Sequence, residues 1–478
     1  MLRTRRLLAA LLLPAAAGAQ AVLTPHQRAA REVYQQLVEI NTVDSVGSVT
    51  TAVQAMAARF RAAGFPAADI HILIPPGAPT KGNLVVRYRG RSGSSLKPVL
   101  LLAHLDVVAA LRTDWSRDPF QLQEANGYFY GRGTADDKAM ASMFVANLLR
   151  YRREGFVPSR DLILALTADE EGGAANGVEF LVAKHRPLID AAYAINEGGG
   201  GTLRGDALRG DVPVFHSVQA AEKVPVNFTL TTLNPGGHSS VPRPDNAINQ
   251  LAAGIVNLSR YTFPVALNAI TKPFLEETAK VETPAIAAAM RAVAANPSDS
   301  VAAAFLSRDP RYSSMLRTSC VATRLTGGHA YNALPQTATV NVNCRIVPTS
   351  TLEEVRATIQ RVVNDTSITI SITVAGDDRE KFGVAPDAID PTLLGVTTSL
   401  TKQTWGDIPV IPTMSTGATD GRFLRAAGIP TYGVSGIFSL PGENNAHGRD
   451  EKLRTRSYYE GLDFLYQLVK QVAGTVAM

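Results

Sequence analysis

The stretch "PVLLLAHLDVV", Pro98 to Val108, is an apolar run that ends in an imidazole and a carboxylate, His104 and Asp106. It is too short for a buried helix and is apolar on both alternating faces, which reads as a strand covered on two sides. Two runs of the same kind follow. "DLILALTADEEGG" (161–173) ends in Asp169, Glu170 and Glu171, and "AAYAINEGGG" (191–200) ends in Glu197. Between the first two lies the amphipathic stretch "MASMFVANLLRYRREG" (140–155). Apolar strands alternating with helices predict an α/β domain with a largely parallel sheet, whose sites form at the C-terminal ends of the strands.

Outward from this core, residues 25–64 show helical spacing, with Val33, Leu37 and Ile40 at intervals of four and three. After "QAAEKVPV" the texture changes. "PVNFTLTTL", "TATVNVNCRIV" and "SITISITVAG" alternate as half-exposed strands, and "DNAINQLAAGIVNLSRY" and "TLEEVRATIQRVVND" read as amphipathic helices. An α+β module over 222–380 therefore interrupts a domain made of 20–221 and 381–478. Within the module, the Ala-rich residues 270–317 read as a helical insertion. A chain of 478 residues is long enough for two such units, each with its own core.

The N-terminus, "MLRTRRLLAALLLPAAAGAQ", has a basic start, an apolar run and a small-residue site, so residues 1–19 read as a secretory signal peptide and the protein as exported, periplasmic or secreted. The run is short for a membrane span, and no stable span is expected once it is cut. Its three arginines account for most of the formal charge, which falls from +5 to +2 without them. No basic tract interleaved with aromatics occurs, and nucleic acid is excluded as a partner. The two cysteines, Cys320 and Cys344, lie in adjacent β-rich runs. They read either as a disulfide, suited to an oxidising compartment, or as two buried thiols.

"GRGTADDK", Gly131 to Lys138, admits two readings: a phosphate loop, or a loop that aims a carboxylate at a metal. A phosphate loop needs GxxxxGK[ST], and here Asp137 before Lys138 would repel phosphate. Asp169, Glu170 and Glu171 repel one another unless solvated or neutralised by a cation, and they follow a buried strand. His447 lies in the polar loop "PGENNAHGRDE" (441–451), where a lone histidine is more often solvent-exposed than a ligand.

Taken in order, HLD, GRGTADDK, DEEGG, NEGG and NNAHGRDE resemble the motifs of the dinuclear zinc peptidase and aminoacylase family that includes glutamate carboxypeptidase and succinyl-diaminopimelate desuccinylase. The match runs from about residue 30 to the end. "AHLDVV", Trp115 with Pro119-Phe120, and "GHSSVPRPDNAI" (237–248) are most similar to the carboxypeptidase S and N-acyl-amino-acid hydrolase branch. The resemblance implies a zinc-exopeptidase-like catalytic domain with a mixed, largely parallel sheet, interrupted by a ferredoxin-like lid and dimerisation domain through which a homodimer would form. It implies two zinc ions, replaceable by cobalt or manganese: His104 and Glu197 on one, Glu171 and His447 on the other, Asp136 bridging.

Asp106, two residues after His104 on one strand face, reads either as the carboxylate that orients the ring or as a plain loop cap, and by the resemblance Asp137 helps fix a cis peptide after the bridge. Lys138 is a structural ion-pair partner, Glu170 the general base toward a metal-activated water, and His238 the stabiliser of the oxyanion. His238 otherwise reads as a loop residue capping the next helix. Asn332, Arg345 and Arg422 would bind the substrate's free carboxylate. Glu197, where other members carry Asp, points to small peptides or N-acyl amino acids with a blocked amine. The implied activity is that of a metallopeptidase or amidohydrolase. A catalytically silent, metal-free binding protein of the same fold is the alternative, and it predicts gaps in the ligand set that the sequence does not contain.

Overall fold

Residues 22–206, 210–373, 386 and 388–474 are described by the computed structural model, so the signal-peptide reading and the 380/381 boundary lie outside the described residues. The three apolar runs form the centre of a ten-stranded sheet. Val99–His104 pairs in parallel with Leu162–Thr167 on one side, Val99 opposite Leu162 and His104 opposite Thr167. On the other side it pairs in parallel with Tyr193–Asn196. Because the three strands run together in register, their C-terminal residues reach one edge of the sheet, and the acids after them share that edge. Thr431–Gly433 extends the parallel set beside Tyr193–Asn196.

The flanks are mixed. Asn83–Tyr88 is antiparallel to Leu162–Thr167, and Gly200–Asp206 is antiparallel to Gly210–Glu222. Val410–Ser415 then pairs in parallel with Gly210–Glu222.

Alternation decides which helices cover which face. Leu101 and Leu164 join Tyr34, Phe144 and Tyr458 in the main core, under helices Pro25–Glu39, Lys138–Glu154 and Thr455–Val472. Leu100, Leu102 and Ile163 point the other way, onto Leu181 and Leu424 of helices Gly177–Lys184 and Gly421–Ala426. Helix Pro25–Glu39 is started by Thr24 and Gln27, which cap each other's free backbone N–H groups.

The residues from Val224 onward build a second sheet, wholly antiparallel, ordered Ser319–Gly327, Thr337–Ile346, Val224–Leu233, Ile368–Thr373. Helices Ala247–Arg260 and Leu352–Val363 cover one face, and Phe228, Leu251, Val340, Val342 and Ile359 close a separate core. The chain order strand, helix, strand, strand, helix, strand gives this sheet a ferredoxin-like topology. Cys320 sits directly opposite Cys344, and the two form a disulfide.

The Ala-rich insertion forms four helices between Thr271 and Leu316. They do not extend the core of the second sheet. Met290, Val293 and Leu306 pack with Ile411 of the main sheet, so a segment inserted in one unit is anchored on the other. Among the described residues no helix is long and apolar enough to cross a membrane.

Candidate metal centre

His104 is the last residue of its strand and is buried. Its Nδ1 lies 3.1 Å from the Asp106 carbonyl oxygen, which can only accept, so this nitrogen carries the proton. Nε2 is thereby turned toward Asp136 Oδ1 at 3.0 Å and Glu197 Oε2 at 3.7 Å. The Asp106 carboxylate stands 3.6 Å from the same ring and accepts the Glu171 N–H at 2.8 Å. Asp106 therefore positions one candidate ligand and the backbone of another.

Asp136 is delivered by the loop 131–137. Gly133 lies at φ +83°, and a Cβ there would meet Lys138 and Val107 side chains at 2.9 Å, so glycine is required by both conformation and space. The peptide between Asp136 and Asp137 is cis, as the resemblance implies. Buried Glu451 gathers the loop: it accepts N–H groups of Gly133 at 3.1 Å, Ala135 at 2.7 Å and Asp136 at 3.2 Å, and pairs with Arg132 at 2.7 Å. Arg132 also donates to the Gly448 carbonyl at 2.8 Å, which ties this loop to the one carrying His447.

His447, at φ +62°, brings Nε2 to 3.1 Å from Asp136 Oδ2 and 2.9 Å from Glu171 Oε1. Asp136 thus shows one oxygen to each histidine. Two groups of ligand atoms lie within 4.8 Å of one another: His104, Asp136 and Glu171, and His104, Glu170 and Glu197. The three adjacent acids separate. Asp169 turns away at φ +60°, pairs with Lys81 at 2.6 Å and accepts the Ala175 N–H.

The crowding is electrostatically unfavourable without a cation. Burial, then Glu197 and Asp420, push the Glu170 carboxyl far above its usual range. Burial and Asp136 raise Glu171, while burial and Glu197 raise Asp137. For Asp136 burial is outweighed by its hydrogen bonds to His104 and His447, which hold it low. Hydrogen bonding to Asp136 raises His447 to about 9 despite partial burial. Four carboxylates and two imidazoles converging in a largely buried pocket are a donor set that divalent cations fit.

Lys138 departs from expectation. Its Nζ donates to the Ile40 carbonyl at 2.9 Å, and no carboxylate lies within ion-pair distance among the described residues. Burial pulls its pKa down to about 7, so this lysine is held by a neutral carbonyl and not by an ion pair.

His238 is exposed, in a two-residue strand paired with Ala333–Leu334. Its Nδ1 contacts Ser240 Oγ at 2.7 Å, and none of its polar contacts involves the cluster. The next helix is capped by Asn246, so His238 is not a cap. Asn332 is beside it, its carbonyl accepting the Ser239 N–H at 3.0 Å.

Arg345, half-buried in the second sheet, and Arg422, at the start of a catalytic-domain helix, are near enough that Arg422 lowers the pKa of Arg345, after burial. Neither guanidinium has a carboxylate partner among the described residues. Sequence reasoning missed Glu451, Lys81 and Asp420. Buried Asp420 accepts from Asn176 at 2.7 Å and Thr167 at 3.3 Å. Glu451 lies within the stretch quoted for His447, and Asp420 lies two residues before Arg422; that proximity is their only signal.

Residues 100–471 match the peptidase family M20/M25/M40. The chain belongs to this family. It is 28% identical to the human N-fatty-acyl-amino acid synthase/hydrolase PM20D1, over 79% of this chain and 75% of that one. It is also 28% identical to a probable carboxypeptidase S-like protein of Dictyostelium discoideum, over 81% and 74%.

An M20 metallo-carboxypeptidase from Sulfolobus solfataricus shares the fold, with a TM-score of 0.67 at 16% identity over 93% of this chain and 99% of that one. The Bacillus subtilis YXEP protein, described as a dinuclear metal-binding M20 peptidase, matches with a TM-score of 0.56 at 13% identity over 94% and 99%. The chain is therefore a hydrolase of the metallopeptidase class, and it carries His, Asp and Glu groups whose ligand atoms lie close enough together to hold a metal ion.

Proposed function

We propose that the protein is an exported dinuclear zinc hydrolase that cleaves the amide bond of small peptides or N-acyl amino acids bearing a free carboxylate. The observation that carries this is Asp136, with one carboxylate oxygen against His104 and the other against His447. In this reading His104 and Glu197 hold one zinc, Glu171 and His447 the other, and Asp136 is shared; cobalt or manganese would fit the same donors. Bound there, the metals supply Lewis acidity and lower the pKa of water toward neutrality.

Glu170 belongs to the same cluster without being needed as a ligand, and it takes the proton of the attacking water and passes it to the leaving amine. Arg345 and Arg422, neither paired with a carboxylate among the described residues, hold the substrate carboxylate together with Asn332. The named activity of the human relative, on N-fatty-acyl amino acids, and the carboxypeptidase title of the Sulfolobus structure both support a substrate with a free carboxylate.

Export is supported by the disulfide. Dimerisation through the ferredoxin-like unit is supported by its exposed edge strand, where Val321 is 58% and Leu325 65% exposed. In such a dimer His238, whose polar contacts do not involve its own cluster, would serve the other copy's oxyanion. Metal analysis of the purified protein, with hydrolysis of a panel of dipeptides and N-acyl amino acids before and after chelation, tests the central claim. Activity that survives complete metal removal would refute it.

A further inference from the structure

A second charged feature lies where the helical insertion meets the ferredoxin-like unit. A cleft of about 510 Å³ opens there between the end of helix Ala247–Arg260 and helix Pro310–Leu316. Arg317 lines it and is only 8% exposed. Its Nε is buried without a partner, and its guanidinium has neither hydrogen bond nor ion pair among the described residues. Burial pushes its pKa down, yet a guanidinium does not give up its proton in a protein. A buried cation with no counter-charge is strongly unfavourable unless something supplies one.

The rest of the cleft lacks that charge and offers further donors. No acid lines it; Ser313 and Ser319 bring hydroxyls, and Tyr261 and Phe263 form an aromatic wall. Behind it, buried Lys223 donates its Nζ to the Arg317 carbonyl at 2.6 Å and adds a second cation to the same neighbourhood. None of the metal-centre residues lines this cleft, and neither do Arg345 and Arg422.

We propose that the Arg317 cleft is a binding site for a small oxyanion, held by the planar guanidinium fork and the surrounding hydroxyls. The shared chemistry covers a tetrahedral inorganic anion and an organic carboxylate whose ring or chain lies on Tyr261. Lys223 is the residue at which the chain passes from the main sheet strand Gly210–Glu222 to the second-sheet strand Val224–Leu233, so an anion here sits on the joint between the two units.

Isothermal titration of the metal-loaded protein with inorganic phosphate, sulfate and benzoate, in wild type, Arg317→Met and Arg317→Lys, tests this. One Arg317-dependent event per chain is expected in wild type, in addition to any binding at the metals or at Arg345 and Arg422. It weakens by at least about tenfold in Arg317→Met and less in Arg317→Lys, with peptide hydrolysis unchanged. Loss of a phosphate and sulfate event assigns an inorganic anion, and loss of a benzoate event assigns a carboxylate. Anion binding at the metals would persist in Arg317→Met and so is separated from the proposed event. Equal stoichiometry and affinity in wild type and Arg317→Met for all three anions would overturn the proposal. If Arg317→Met does not fold, Ser313→Trp, which fills the cleft and leaves the guanidinium in place, must abolish the same event.

Discussion

At the scale of single residues, neighbouring acids of the same type have different fates because the backbone aims them apart. Asp136 faces two imidazoles, whereas Asp137 is buried behind it with one oxygen unpartnered. Asp136→Asn keeps the shape but removes the negative charge and replaces one of the two ligand oxygens with an NH2 group, and metal content of the purified protein should fall from two ions toward none. Asp137→Asn should leave two ions bound, as read by plasma emission spectrometry. Glu170 and Glu171 separate in the same way: Glu171 contacts His447 at 2.9 Å, and Glu170 joins His104 and Glu197. Glu170→Ala is expected to lower kcat by about 10²–10⁴ with metal content unchanged. A variant keeping more than a tenth of wild-type turnover would remove Glu170 from the proton-transfer role.

At the scale of elements, the loop carrying Asp136 is organised from a distance. Glu451 accepts three of its backbone N–H groups and pairs with Arg132, across 315 residues of chain in the case of Asp136. Glu451→Gln keeps the size and loses the charge that holds these donors, so metal affinity should fall about 10–100-fold, measured by competition with a chelator of known affinity. The disulfide acts on a different element. It ties the edge strand Ser319–Gly327 to its neighbour across a separation of 24 residues. Loop-closure entropy for a segment of that length predicts that Cys320→Ser with Cys344→Ser lowers unfolding free energy by about 3 kcal/mol, readable in denaturant melts. The metal content of that double variant should be unaffected, because the ligands stand on the other sheet.

At the scale of the whole molecule, buried His216 links the last third of the chain to the main sheet: Nδ1 lies 2.7 Å from Thr401 Oγ1 and Nε2 2.6 Å from the Ser435 carbonyl. Burial lowers its pKa to about 4, against about 6.5 in an unfolded chain. The unfolded state therefore binds the proton first. Stability is full above pH 6.5 and is lost as pH falls toward 4, by about 3 kcal/mol at most. Melting temperature between pH 7 and 4.5 should fall more steeply in wild type than in His216→Gln.

Much of this architecture is legible in the residues themselves. A strand buried on both faces must be an uninterrupted apolar run, and a parallel sheet must collect the polar ends of such runs at one edge. His104, the Asp169–Glu171 acids and Glu197 could therefore be grouped before any coordinates. Side-chain partnership across hundreds of residues leaves no periodic trace, because it depends on which loops the packed chain brings together. Only the tertiary structure joined Glu451 to the Asp136 loop, turned Asp169 aside to Lys81, held Lys138 on a carbonyl, and set the helices of 271–316 on Ile411.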